Sequence, residues 1–392
     1  MMIFCTYGGV FNMNIKTIVP ILLFATSSLM PALSHAQAST GTVEDTQTYE
    51  KARVVEVTDQ KTSILPGTDT SVQSQTLKAD ILDGPDAGTT VTFTNDYPAQ
   101  LQAGDVFYAR HIMSVLDGKD MWSVADPYRL PMLAILALAF IALIFVFGGI
   151  QGIRGLASLI GSILLIFYVL IPGIYSGWSP IIVSIGVSSL IIIVGSYITH
   201  GFNRTTSAAV LGMIGTVLIT GLGGYWAVHA GHLSGYTTEE NVYLNFDTHG
   251  TINMVGLLFG GIMIGLLGVL YDIAIGQAIA VEELFSAGAH LGHKEIYSRA
   301  IRIGREHIGA LVNTLAIAYV GAALPLLLLI QSSNTDILFM LNSEIFATEI
   351  VRILIGSIGL ILGVPITTLI ATYMLAGQKH STHSHEGHGH RH

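Results

Sequence analysis

Cysteine and charged residues are scarce in this chain of 392 residues. The single cysteine, Cys5, lies ahead of a predicted cleavage site, which excludes disulfides, thiolate metal sites and cysteine catalysis from the mature protein. Charged residues make up only 11% of the chain, whereas a soluble domain carries about 25%. Together with a hydrophobic fraction of 51%, this deficit predicts an integral membrane protein. No basic arm is present, so no nucleic-acid partner is expected.

Sequence motifs of the common intramembrane hydrolases are also missing. Intramembrane aspartyl proteases pair a Tyr-Asp with a G-x-G-D on a second helix, because two carboxylates must share a proton to activate water. Tyr271-Asp272 matches the first half, but no G-x-G-D follows Pro131. The serine-hydrolase pattern G-x-S-x-G and the metalloprotease pattern H-E-x-x-H are absent as well. The sequence therefore predicts that the protein is not an enzyme.

The first 38 residues have the layout of a secretory signal peptide. One lysine and an apolar run follow Met13, and Ala36-Gln37-Ala38 provides an A-x-A cleavage site. Met13 is the expected start of translation, since residues 1–12 do not fit the pattern. An uncleaved anchor is the alternative, and it gives the same topology.

Residues 39–128 are polar and contain several runs that alternate apolar and polar residues. Glycine and proline turns separate these runs, as in Leu65-Pro66-Gly67. Short alternating strands with such turns predict a small β-barrel or sandwich on the extracytoplasmic side. The module shows no catalytic constellation, and roles in oligomerisation or ligand sensing stay open.

Residues 129–376 are predicted to form a membrane domain of seven helices. Each predicted span has about 20 apolar residues, the length that crosses a bilayer core. The spans are 131–150, 155–174, 179–199, 208–228, 252–275, 308–330 and 352–376. Predicted inner loops hold the basic residues and predicted outer loops hold none, which satisfies the positive-inside rule and puts the carboxyl terminus in the cytoplasm. The basic inner segment 277–306 is expected to form one or two interfacial helices.

One acid, Asp272, falls inside the fifth predicted span. At 100° per residue it lies on a helix face shared with Gly261, Gly265, Gly268 and Gly276. Small residues mark the face by which membrane helices pack, so this stripe predicts that Asp272 points into the bundle. If the helix continues inward, Glu283 lies on the same face.

Polar residues of the last two spans are predicted to lie at the depth of Asp272. They are Asn313 and Thr314 in the sixth span, and Thr367 and Thr368 beside Pro365 in the seventh. A proline frees a backbone carbonyl, which adds a further oxygen. Transporters commonly build an ion or proton site from such groups, with Asp272 as the charged member. A structural hydrogen-bonded cluster is the alternative.

Two groups of histidines suggest metal association. The tail, residues 377–392, carries His383, His385, His388 and His390 at close spacing, a pattern that binds Zn, Ni or Cu. A plain solvated tail is the alternative. In the fourth-to-fifth outer loop, His229 and His232 fall on one helical face, with Asp247 and His249 following. Surface histidines without a metal are the alternative there.

Several long motifs in this order resemble the YibE/F-like family of bacterial membrane proteins. They include "GLLFGGIMIGLLGVLYDIAIGQAIAVEEL", "HIGALVNTLAIAYVGAALPLLLL" and "RILIGSIGLILGVPITT", and the resemblance covers about residues 130–376. It implies a polytopic protein of the cytoplasmic membrane that is commonly preceded by a β-rich segment. The two-part family name implies a second YibE/F-like protein as a partner, with a homo-oligomer as the other assembly.

One position departs from the family pattern. The fifth-span motif usually reads G-V-L-D-D, and here Tyr271 replaces the first acid while Asp272 matches the second. A mechanism that needs both carboxylates is therefore in doubt, whereas a site using Asp272 with Gln277, Glu283, Asn313 and Thr367 is not. The sequence predicts a permease-like transporter of an ion or small solute in the lipid bilayer. A non-transporting scaffold or sensor is the alternative.

Overall fold

The chain divides into two compact units, with the boundary in the sequence between Leu136 and Ala137. The structure is a computed structural model, and it describes residues 46–64, 71–113, 120–288, 290–332 and 335–376. The predicted signal peptide of residues 1–38 and the His-rich tail of residues 377–392 lie outside the described residues.

The first unit contains a closed β-barrel of five strands in the order β1-β2-β3-β5-β4. The strands are β1 Thr46–Ile64, β2 Ser71–Ile81, β3 Thr90–Asn95, β4 Val106–Met113 and β5 Asp120–Pro127. The long β1 pairs antiparallel with both β2 and β4, and β3 pairs with β5 in parallel. Register shifts after Val54 and Val57 mark bulges, which let one strand bend far enough to serve both sides of the barrel. The predicted barrel-like module is confirmed.

The barrel core is small and aromatic. Phe93 packs edge-to-face against Phe107 and Trp122, with ring centroids 5.1 and 5.6 Å apart. Ala52 and Leu77 are fully buried beside them. Inward and outward residues alternate along the strands, so the period-2 pattern of the sequence corresponds to one buried and one exposed face.

The second unit is helical and begins within the first helix, after Leu136; long helices alternate with short ones. They are α1 Leu130–Leu143, α2 Gly149–Leu165, α3 Ile171–Tyr175, α4 Pro180–His200, α5 Arg204–Ala230, α6 Glu239–Asp247, α7 Met254–Ala287, α8 His293–Ala322, α9 Leu324–Ser332, α10 Ile337–Asn342 and α11 Glu344–Met374. π-Helical turns at Ile144–Gly148 and Ile166–Leu170 join α1, α2 and α3 into one run. The described residues of the segment 277–306 include the end of α7 and the start of α8, so the expected interfacial helices are parts of these two long helices.

The described residues contain five long apolar helices, or six if the bent pair is counted as one span, whereas seven spans were predicted. Helical residues run without a gap from Leu130 to Tyr175, so the first two predicted spans share one segment. The helices α8 and α9 form a pair bent by 63°, because Pro325 in the first turn of α9 cannot continue the hydrogen-bonding of the preceding helix.

A bend also interrupts the run from Leu130 to Tyr175. Gly149 has φ +53°, a value that glycine adopts at little cost. A Cβ placed on Gly152 would lie 2.8 Å from the carbonyl oxygen of Ile144, although eight residues of straight helix span about 12 Å. The chain therefore turns sharply at Gly149, close to the predicted boundary between the first two spans.

The helix α11 packs against α5, α7 and α8, and close approach relies on small residues. A Cβ on Gly212 of α5 would lie 2.8 Å from the Cα of Thr367, and one on Gly363 of α11 would lie 2.8 Å from Leu270 of α7. Large side chains such as Met213 and Leu266 fill the space between these contacts. Small residues thus set the helix separation, as in membrane helix pairs.

Candidate functional site

Asp272 lies on an exposed face of α7, together with the glycine stripe. A Cβ on Gly261, Gly268 or Gly276 would meet no atom within 4 Å, and only Gly265 meets a neighbour, the hydroxyl of Tyr319. The prediction that this stripe turns Asp272 into the bundle is therefore wrong for the single chain. The opposite face of α7 carries large apolar residues, and their burial outweighs the close packing that glycines allow.

The carboxylate of Asp272 has no hydrogen bond or ion pair with any residue that the structure describes. Two of its predicted partners, Asn313 and Thr314 on α8, are also exposed. Two contacts join the antiparallel helices α7 and α8: Gly265 with Tyr319, and Gln277 with Ala300. Asp272 lies between these contacts on α7, and Asn313 lies between them on α8. Asn313 therefore lies within the same section of the α7–α8 pair as the acid. The Thr314 hydroxyl donates to the carbonyl of Ala310 at 2.9 Å.

The other predicted ligands lie elsewhere. Thr367 is fully buried against Gly212, and Thr368 donates to the carbonyl of Val364 at 2.6 Å. Both threonines are therefore part of the packing of α11. The predicted cluster is divided between an exposed part on α7 and α8 and a buried part on α11.

Of the two remaining predicted site residues on α7, Gln277 is buried and Glu283 is exposed. Gln277 is 3% exposed, and its amide donates to the carbonyl of Ala300 at 2.7 Å. This bond ties α7 to α8. Glu283 is exposed near the end of α7, so the helix does continue as far as Glu283, which remains on the surface.

Tyr271, the residue that replaces a family acid, joins α7 to α4. Its hydroxyl donates to the carbonyl of Gly195 at 3.3 Å, and its ring lies 6.0 Å from that of His200. The amide of Gln151 donates to the carbonyl of Thr199 at 3.1 Å, so α2 meets the same end of α4. Tyr271 and Asp272 therefore leave α7 in different directions, one toward α4 and one to the exposed face.

An ion pair within α11 was not among the predicted site residues. The guanidinium of Arg352 lies 3.0 Å from the carboxylate of Glu349 and 5.8 Å from the ring centroid of Tyr319. Its Nε is buried with no partner among the described residues. The i, i+3 spacing of an acid and a base was the available signal, but Arg352 stood at the edge of the predicted span and Glu349 in the predicted outer loop.

A second missed carboxylate, Glu344, anchors the loop after α5. It accepts the backbone N–H of Ser234 at 2.6 Å, the Ser234 hydroxyl at 2.8 Å and the N–H of Gly235 at 2.9 Å. Glu344 occupies the first turn of α11, where the helix dipole favours an anion. Gly235 has φ +83°, and a side chain there would meet the backbone of Met254. The loop conformation therefore requires glycine.

The two outer histidines line a cavity of about 350 Å³ between the ends of α4, α5 and α7. Val228, Leu233 and Asn253 are among the other lining residues. The Nδ1 atom of His229 is hydrogen-bonded to the carbonyl oxygen of Tyr225 at 2.8 Å. No group of three or more metal-binding side chains occurs in the described part of the chain, so His229 and His232 do not form the suggested site with Asp247 and His249.

The fold and the polar groups indicate a membrane protein: long apolar helices, packed through glycine and hydroxyl contacts, carry few charges. The chain belongs to the YibE/F-like protein family, whose model matches residues 136–377. The predicted family resemblance is thus confirmed. Comparison with curated proteins and with solved structures gives no match.

Proposed function

We propose that this protein is a multi-pass protein of the cytoplasmic membrane and a permease-like transporter of an ion or small solute, not an enzyme. In this proposal the barrel is extracytoplasmic, the carboxyl terminus is cytoplasmic, and Asp272 is the group that binds a cation or a proton. Family membership and the apolar helices support the membrane assignment.

The length of the first helical run supports this topology. Its 46 residues correspond to about 69 Å of helix, more than twice the roughly 30 Å of a bilayer core. Because the run is bent at Gly149, we assign it two crossings. Counting α8 and α9 as one bent span then gives seven crossings, which keeps the basic residues Arg299, Arg302 and Arg305 on the cytoplasmic side.

The unpaired carboxylate of Asp272 is the observation that carries the transport proposal. A charge in a membrane helix costs at least about 2.5 kcal/mol, and such residues are usually retained for function. Asp272 makes no bond that would give it a structural role within the described chain. Because Asp272 is exposed, its oxygens are available to a cation, a proton or water.

The bent pair α8–α9 and Pro365 within α11 also favour transport. Interrupted helices expose backbone carbonyls inside membrane domains, and transporters use such breaks to bind ions. The 63° bend follows Tyr319 on α8, the residue whose hydroxyl contacts Gly265. The break therefore lies on the helix that flanks the face of Asp272.

The test is an elemental and metabolite survey of cells that lack, contain or overproduce the protein. We expect the level of at least one ion or small solute to change with the amount of protein. Asp272→Asn should remove that change without reducing insertion into the membrane, since the carboxylate supports no contact of the fold. Glu239→Gln is the control, because Glu239 is an exposed acid of the helical unit that is not among the predicted site residues.

An unchanged survey would reject transport. The alternative, a scaffold or sensor, is favoured by the open glycine stripe on α7, which offers a face for a second YibE/F-like protein or another copy of this chain. Under that alternative, Asp272→Asn weakens assembly or has no effect, and the cellular solutes do not respond to the protein.

A further inference from the structure

The barrel contains a buried carboxyl group that the proposed function does not use. Glu50 on β1 is 3% exposed. Neither of its oxygens has a hydrogen-bond partner among the described residues. A buried ionised carboxylate without partners is costly, and such a group normally neutralises by taking up a proton.

The loop between β2 and β3, residues 82–89, closes directly over this carboxyl. A Cβ on Gly84 would lie 2.5 Å from Cδ and 2.6 Å from Oε1 of Glu50. Asp83 of the same loop accepts the backbone N–H of Lys51 at 2.5 Å, and its carboxylate lies 3.2 Å from the Lys51 ammonium. The loop is therefore held to β1 at the residue next to Glu50, which leaves the carboxyl no room for a hydration shell.

The charged groups around Glu50 come from the loop and from two strands. Asp86 of the loop lies 3.8 Å from the imidazole of His111 on β4, and Asp120 of β5 lies 3.4 Å from the same ring. His111 stacks on Trp122 with ring centroids 4.0 Å apart. Glu50 thus faces Asp83, Asp86 and His111, so its ionisation adds a negative charge beside two loop carboxylates.

We propose that Glu50 is a proton-operated latch of the extracytoplasmic barrel: the β2–β3 loop stays closed over the protonated carboxyl and opens when the carboxyl ionises. A neutral carboxyl fits beneath Gly84 without water. An ionised one needs water and repels Asp86. Opening the loop supplies the water and separates the charges, so the barrel changes shape with external pH without the need for a ligand.

The direction of the pH response follows from the shift in the pKa of the Glu50 carboxyl. Burial raises the pKa of Glu50 above that of an ordinary glutamate, and Asp86 raises this pKa further while His111 lowers it. The closed loop is therefore fully stabilised below the ordinary glutamate pKa and loses that stabilisation as the pH rises through the raised value.

Hydrogen exchange of the full-length protein in lipid nanodiscs tests the latch. The amides of Ile81 and Gly88 bond across the base of the loop at 2.9 Å, to Thr89 and Ile81. After correction for intrinsic exchange rates, their protection should fall as the pH rises from the ordinary glutamate pKa to the raised value, by at most about tenfold per pH unit, and should then level off. Glu50→Gln imitates the protonated carboxyl and should keep the loop protected at all pH values.

Two further variants make the test specific. Glu56→Gln changes an exposed acid on the same strand and should keep the response of the natural protein. Asp86→Asn removes a neighbouring negative charge that raises the Glu50 pKa, so the loss of protection should be smaller in total and should level off at a lower pH. Protection that does not depend on pH in the natural protein, or an unchanged pH response in Glu50→Gln, would overturn the proposal. If Glu50→Gln does not fold, a pH response in Asp86→Asn equal to that of the natural protein overturns it equally.

Discussion

The carboxylate of Glu344 is predicted to hold the loop at Ser234 and Gly235 against the start of α11. It accepts three hydrogen bonds, two from Ser234 and one from Gly235. A bond to a charged acceptor contributes about 1.5–3 kcal/mol and a neutral one about 0.5–1.5 kcal/mol, a difference of about 1 kcal/mol per bond. Glu344→Gln keeps the shape but removes the charge, so we expect a loss of about 3 kcal/mol.

Thermal unfolding of the detergent-purified protein measures this loss. For a domain of this size 1 kcal/mol corresponds to roughly 2–4 °C, so Tm should fall by about 6–12 °C in Glu344→Gln. The control is Glu239→Gln, which changes an exposed acid on α6 and should move Tm by less than about 1 °C. A fall of less than about 2 °C in Glu344→Gln would show that the loop is not held by this carboxylate.

Two more substitutions test the packing and the barrel. Gly212→Ala brings a methyl group within 2.8 Å of the Thr367 backbone and should cost about 1–3 kcal/mol. Gly268→Ala meets no atom within 4 Å and should leave Tm unchanged or raise it slightly, because alanine favours the helix over glycine. Asp83→Asn should destabilise the barrel at pH 7, because the N–H of Lys51 stabilises the ionised Asp83 carboxylate and lowers its pKa. Below about pH 4 Asp83 becomes protonated, so the difference in stability between Asp83→Asn and the natural protein should shrink. Equal unfolding of the two glycine variants, or a difference for Asp83→Asn that persists in acid, would contradict these contacts.

Local patterns in the sequence were enough to predict the barrel and the position of most helices. Alternating residues of the β module correspond to strands with one buried face, and Gly and Pro turns to their ends. Apolar length located the helices, but it cannot distinguish two separate spans from one bent helical run. Whether Gly149 breaks or bends the helix depends on its φ angle, which composition does not specify.

The face of Asp272 was predicted wrongly for a physical reason. A helix that is apolar on all sides has no periodic signal to identify its buried face. The glycine stripe suggested one face, whereas Leu266 and Leu270 are buried on the other. Only the packing of α5 and α11 against α7 decides between them, and that packing depends on residues far away in the sequence.

The polar contacts across the chain were beyond sequence reasoning for a similar reason. Glu344 and Ser234 are 110 positions apart, and nothing local relates them. Glu349 and Arg352 are close in sequence, but their contact with Tyr319 depends on how α8 packs on α11. By contrast, Asp272 as an isolated acid was recognisable from composition alone, since it is a charge within an apolar run.

The measurement that tests the central claim most directly is carbodiimide labelling of Asp272 in the purified protein. Dicyclohexylcarbodiimide reacts with protonated carboxyl groups in apolar surroundings, and mass spectrometry locates the product. If Asp272 binds a cation or proton within the membrane, labelling should occur at Asp272 and should decrease as the pH rises. For a cation site, at least one cation from a panel of Na⁺, K⁺, Mg²⁺, Ca²⁺, Mn²⁺ and Zn²⁺ should also block labelling. For a proton site, raised pH alone should block it. Labelling that is absent at every pH, or that responds to neither pH nor any cation, would contradict the assignment of Asp272 as the binding group.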